Sequence, residues 1–171
     1  MQPTVSWPLV QRAVGAFAAC AALAATSGCT VPIDAVTGIS VTEDGHLVGV
    51  MMVCGHHIDG ATLYVAGADA DKDVTVGSWT AARSLKSGLA TWTLDAPAAD
   101  WTATTSLKSL TPKATYKLYG WTEGNSWSAS SVSFTLTDRD RLTPGMVRYE
   151  GAESTVTVPA AEFKTRACED G

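Results

Sequence analysis

Between residues 38 and 137 the chain is a succession of short segments rich in Val, Thr, Tyr and Trp, each cut off by Gly, Asp, Asn or Pro. The segments cover residues 38–42, 46–54, 61–66, 74–79, 89–94, 101–107, 115–122 and 127–137. The interruptions are Asp44-Gly45, Asp59-Gly60, the acidic run 69–73, Pro97, Pro112 and Glu123-Gly124-Asn125-Ser126. β-Branched and aromatic side chains fit a pleated, half-buried surface, whereas an amphipathic helix needs apolar residues at a period of 3.6. No long stretch with that period occurs. The expected class is therefore all-β, and short strands at this spacing indicate a sandwich or a barrel. Beyond Leu136, residues 138–142 ahead of Pro144-Gly145 read as one helical turn. Residues 147–149 and 155–158 read as short strands, and 160–168 as a closing helix.

The front of the chain has a different character. Residues 1–12 carry one positive side chain, Arg12, and residues 13–25 are small, apolar and uncharged, ahead of Thr26-Ser27-Gly28-Cys29. That is the layout of a secretory signal peptide. The apolar run is too short to cross a bilayer, which takes roughly twenty helical residues. The small residues before Cys29 resemble a bacterial lipobox, in which the cysteine becomes the first mature residue and is acylated. Thr26 stands where a lipobox usually carries Leu, and ordinary cleavage nearby would leave a secreted protein instead. The expected organisation is a signal peptide over 1–28, a tether over 29–37, a β-sandwich over 38–137 and an extension over 138–171 packed on the sandwich. The expected address is the outer face of the cell membrane, reached through a lipid anchor.

Cys20 leaves with the signal peptide and Cys29 carries lipid, so Cys54 and Cys168 remain, and an oxidising compartment pairs them. The chain has 12 basic against 17 acidic residues, a net charge of −5. Such a surface repels a phosphate backbone, which sets nucleic acid aside as a partner.

Leu110-Thr111-Pro112-Lys113-Ala114-Thr115-Tyr116-Lys117-Leu118, followed by a Gly-Asn turn and Ser133-Phe134-Thr135-Leu136, resembles the E-to-F corner and the F and G strands of a fibronectin type III domain. The resemblance implies an immunoglobulin-like β-sandwich in which Leu110 packs inward, Pro112 shapes the corner and the Tyr116 hydroxyl bonds back to the corner backbone. No tryptophan stands within residues 49–54, where that family places its core tryptophan. As a whole the chain resembles small secreted actinobacterial lipoproteins of unassigned activity, which implies an envelope location and no particular chemistry.

Alternate side chains of a strand point to opposite faces. With Tyr116 inward, Leu118 and Gly120 follow, as do Val132, Phe134 and Leu136 on the next strand and Leu63 and Val65 on the strand beside. Tyr64, Tyr119, Trp121 and Trp127 then form an outer aromatic row, a platform for sugar rings or a protein partner. The competing arrangement has Trp79, Trp92 and Trp101 filling the core while the C-terminal extension covers the outer row.

Chemistry-bearing clusters are few. Cys54-Gly55-His56-His57-Ile58-Asp59-Gly60 holds groups that suit Zn or Cu. Adjacent histidines point apart on an extended chain, however, and a disulfide at Cys54 removes the thiolate. A metal site at His56 and His57 is the alternative to a solvated loop between two strands, and His46 is a surface hairpin end that folding could bring to the pair. The run Asp69-Ala70-Asp71-Lys72-Asp73 lacks the glycine and glutamate of a calcium loop. No nucleophile elbow, phosphate loop or histidine zinc motif occurs, which leaves a cryptic envelope hydrolase as the third alternative. The expected function is a non-enzymatic binding or adaptor module at the envelope, without a cofactor, that contacts an envelope protein or polysaccharide.

Overall fold

The structure, a computed structural model, describes residues 30–67 and 72–169. The signal-peptide segment, Cys29 and the acidic residues Asp69 and Asp71 lie outside the described residues. Among the described residues the elements are β1 (Ile33–Val41), β2 (Leu47–Val65), β3 (Val74–Thr93), β4 (Trp101–Thr105), β5 (Tyr116–Trp121), β6 (Ser128–Ser130), β7 (Val132–Phe134), α1 (Leu136–Asp140), β8 (Met146–Glu150), β9 (Thr155–Pro159) and α2 (Ala160–Arg166). The described residues are mostly β-strand, with two short helices in the C-terminal part.

The strands form one hydrogen-bonded network in the order β4-β3-β2-β5-β6-β1-β8-β9, with β7 also on β5. Because β1 pairs with β2 as well, the path closes into a barrel-like circuit of β1, β2, β5 and β6. β2 makes this closure by changing partner along its length. Its first half lies against β1, from Val41↔Leu47 to Ala35↔Val53. Its second half lies against β5, from Gly60↔Trp121 to Val65↔Tyr116. β3 follows it throughout, with register shifts between Val53 and His57 and between Ile58 and Gly60. Bulges of this kind bend a strand and increase its twist, which lets two long strands cross from one half of the network to the other.

The strands depart from the sequence expectation at several places. Residues 33–37, expected as tether, are the first half of β1. Ala35 packs into the main core and Val36 into a second cluster, so this strand is covered on both faces. A strand buried on both sides lacks a polar alternation that would announce it. Residues 55–60, expected as a loop, continue β2, held by His57↔Lys86, Ile58↔Leu85 and the complete burial of Ile58. Segments 74–79 and 89–94 are likewise the two ends of the single strand β3. The expected strand 127–137 breaks into β6 and β7 and then turns into α1, so Leu136 opens a helix instead of pointing inward from a strand. Thr135 causes that turn: its hydroxyl accepts from the Asp138 N–H at 3.2 Å, while its own N–H donates to Asp138 Oδ2 at 2.9 Å. This reciprocal capping box satisfies donors that the first helical turn leaves unpaired.

Trp79, Trp92 and Trp101 are all buried in the main core. The Trp92 and Trp101 rings stack with centroids 4.2 Å apart, and Trp79 lies 6.3 Å from Trp92. Trp92 sits directly across the ladder from Gly49. The extension does more than pack on the strands, because β8 joins the network at Gly38↔Tyr149 and Ile39↔Arg148. Val147, Tyr149, Phe163 and Ala167 close over Val36 and Val50 to form the second cluster. The Cys54–Cys168 disulfide fastens this layer, with Cα atoms 5.6 Å apart.

Candidate functional site

Inward and outward parity around Tyr116 is as expected: Tyr116 and Leu118 are buried, as are Val132 and Phe134 across the ladder, while Tyr119 and Trp121 are half-buried on the other face. Val65, placed inward, is half-buried at the end of β2.

On the outer side of the β2–β5 pair, Tyr64, Thr62 and Gly60 stand opposite Lys117, Tyr119 and Trp121. Tyr64 and Tyr119 meet edge to face, with centroids 5.8 Å apart and planes at 86°. Burial first, and then the neighbouring Asp73 and Tyr119, push the Tyr64 phenol above its ordinary range. Trp121 leans across β2. Its Nε1–H donates to Thr62 Oγ1 at 3.0 Å, and Thr62 in turn shares a hydrogen bond with Ser78 at 3.2 Å. A Cβ on Gly60 would fall 2.3 Å from Trp121 Cζ2, so the missing side chain is what lets the indole lie against the sheet. The result is a fixed surface of two phenols, an indole and the hydroxyls of Thr62 and Ser78. Aromatic faces framed by hydroxyls suit the apolar faces and hydroxyl edges of sugar rings, and equally a protein loop.

Trp127 stands apart from this trio. It stacks on His56, with ring centroids 3.6 Å apart and planes at 16°. His56 is also held by Asp34, whose Oδ2 accepts from the His56 backbone N–H and lies 3.0 Å from Nδ1. The next imidazole has its own carboxylate, with His57 Nε2 3.6 Å from Asp59 Oδ2. Burial opposes the charge on Asp59, but hydrogen bonds from Ser84 and the Glu123 N–H, with His57 nearby, keep its carboxyl below the ordinary value. Cys54 is bonded to Cys168, so it offers the histidines no thiolate. His46 does not join them. It pairs with Asp95 at 2.6 Å, and that hydrogen bond and charge raise its pKa.

The expected row thus resolves into a trio on β2 and β5 and a separate Trp127–His56–Asp34 stack. Residue-by-residue reading missed Asp34, Gly60, Thr62 and Ser78. For Thr62 and Ser78 a signal existed, since each falls on the outward parity of its strand, but a hydroxyl there looks like any solvated strand position. Asp34 was hidden by the tether reading that Pro32 invited.

The extension covers the opposite half of the molecule. α2 and the inner side chains of β8 seal Val36 and Val50, which are the outward positions of β1 and the first half of β2. Of the two arrangements open in the sequence, the tryptophan core is present, but the described part of the tail lies on the other half and not over the aromatic trio. Comparison of the chain with family models, curated proteins and solved structures gives no match.

Proposed function

We propose that this chain is a non-enzymatic binding or adaptor module of the bacterial envelope, lipid-anchored at Cys29, with the outer face of β2 and β5 as its contact surface. In this reading the fold is an immunoglobulin-like sandwich related to fibronectin type III. Three features support that relation. Thr111 N–H donates to the Tyr116 hydroxyl at 2.6 Å, the bond that marks a tyrosine corner. β1, β8 and the early half of β2 lie in one half of the network, while β4, β5, β7 and the late half of β2 lie in the other. The closure between the halves runs through the parallel pairing of β1 with β6.

The observation that carries the function is the asymmetry of the two outer faces. One is apolar and sealed by the disulfide-fastened extension. The other presents Tyr64, Tyr119 and Trp121 half-buried in fixed orientations, with hydroxyls between them. Rigid aromatic side chains with a polar tip give large contact area at low entropic cost, so they dominate binding surfaces. The partner is an envelope polysaccharide or protein.

The test is a Tyr64→Ala/Tyr119→Ala variant carried on the anchored, full-length protein. It is expected to melt close to the wild type yet lose crosslinking to its surface partner and retention on cell-wall glycans. Unchanged capture by a folded variant would remove the proposal. The anchor is checked separately, because Cys29→Ser should abolish incorporation of labelled palmitate and move the protein into the medium.

A further inference from the structure

We infer that His56 and His57 form a binding site for a divalent copper ion at the bend of β2. The objection that neighbouring histidines on a strand point apart applies to a regular strand, and β2 is not regular here. Val53 pairs with Gly88 and His57 with Lys86, so Cys54, Gly55 and His56 together face the single residue Ser87. A bulge of this kind breaks the alternation of faces and re-aims side chains. Both imidazoles accordingly border one open depression of about 550 Å³, shared with Gly55, Ser84, Lys86 and Ser87.

A carboxylate sets up the nitrogens of His56. Asp34 Oδ2 lies 3.0 Å from His56 Nδ1, and because a carboxylate only accepts, Nδ1–H is the donor and Nε2 is the ring nitrogen left to face a metal. A histidine whose second nitrogen donates to a carboxylate has a fixed tautomer and a more basic ligating nitrogen, the arrangement found behind metal-bound imidazoles. Trp127 stacked on the same ring holds its plane. Asp59 Oδ2 lies 3.6 Å from His57 Nε2, beyond hydrogen-bond reach, so it adds negative charge beside that ring without committing either of its nitrogens. Asp34 and Asp59, each paired with one of the two histidines, place negative charge beside the depression, whose lining carries one ammonium, Lys86.

The donor set decides the metal. Cys54 is spent in the disulfide, and among the described residues no group of three or more His, Cys, Asp or Glu forms a closed cage. Two imidazoles with water in the remaining positions suit the tetragonal preference of Cu(II), which also binds nitrogen donors more strongly than Zn(II) does. An open site of this kind takes up copper reversibly and is distinct from the aromatic trio on β2 and β5.

Trp127 supplies the readout. Copper(II) held by His56 would sit next to an indole already in contact with that ring and would quench its fluorescence, whereas zinc, with a filled d shell, would not. The full chain, disulfide intact, is titrated with CuCl2 while tryptophan emission is followed, and heat release is recorded in parallel. Saturable quenching at one copper per chain is expected, reversed by EDTA and unaffected by His46→Ala. His56→Gln and His57→Gln should each abolish saturation, with near-ultraviolet circular dichroism confirming that both remain folded. Asp34→Asn, which keeps an acceptor for the His56 N–H, should weaken binding by about ten- to a hundredfold, the usual effect of removing a carboxylate behind a ligand. Trp127→Phe should lose most of the quenching while the heat remains. Quenching that rises without saturating, or that persists unchanged in both histidine variants, overturns the site.

Discussion

Gly49 has its place because of the ring opposite. A Cβ there would approach Trp92 to 2.4 Å, and Trp92 is itself pinned between Trp101 and Trp79. Trp92 enters the core from β3, and its cross-strand neighbour on β2 has been reduced to hydrogen. Gly49→Ala is therefore expected to destabilise the fold by about 1–3 kcal/mol, the usual cost of overpacking a filled core. Urea unfolding followed by tryptophan emission measures it, and a midpoint equal to that of the wild type would mean that the three rings can shift together. This pairing was not legible in the sequence, because Gly49 and Trp92 meet only once a long strand has folded back. Tyr116 is the opposite case. Its partner Thr111 is five residues away, the corner motif is local, and the parity of β5 could be read outward from it.

α1 illustrates how an element is set by a few polar bonds. It buries no residue, so its start depends on the Thr135–Asp138 box, with Arg148 3.5 Å from Asp138. Burial works against the Asp138 charge, yet hydrogen bonds from the Thr135 N–H and hydroxyl, with the charges of Arg148 and Arg141, hold its carboxyl below the ordinary carboxylate range. A carboxyl with a depressed folded-state pKa contributes stability that is present above its unfolded value and is lost as pH falls through the folded one. Asp138→Asn is accordingly expected to narrow its stability deficit relative to the wild type as pH drops below about 4, the unfolded carboxyl range. Thermal melts from pH 7 to pH 2 test this, and a constant difference across that span would mean that the charge contributes nothing. Element types were mostly legible, since β5, β8, β9 and α2 fall where turn and alternation signals put them. What failed was continuity. Gly55-His56-His57 looks locally like a loop, but pairing of β2 with β3 carries the ladder through it, a long-range effect that outweighs local propensity. The same misreading hid the shared depression beside His56 and His57, which exists only because the strand bulges and does not end.

For the molecule as a whole, the division of labour between the two halves predicts how it comes apart. The disulfide joins residues 114 positions apart, ties α2 to the β1–β2 half and lies outside the β2–β5 pairing, which begins at Gly60. Closing a loop that long restricts the unfolded chain by about 4–5 kcal/mol in the chain-entropy account, from which native strain subtracts. Burial of a ring such as Phe163 contributes roughly 1.5–3 kcal/mol in the same layer, so α2 has two comparable sources of attachment. Cys54→Ser/Cys168→Ser is expected to lower global stability by about 2–5 kcal/mol, with the first loss confined to the extension. Hydrogen exchange should then quicken across α2 and β9, while amides of β5 and the late half of β2 stay protected until global unfolding. Binding through Tyr64 and Tyr119 should survive at temperatures where the extension has already loosened. Equal acceleration in β5 and α2 would show instead that the barrel-like closure through β1 and β6 couples the halves into one cooperative unit, and that the covered and open faces cannot be separated in energy as they are in space.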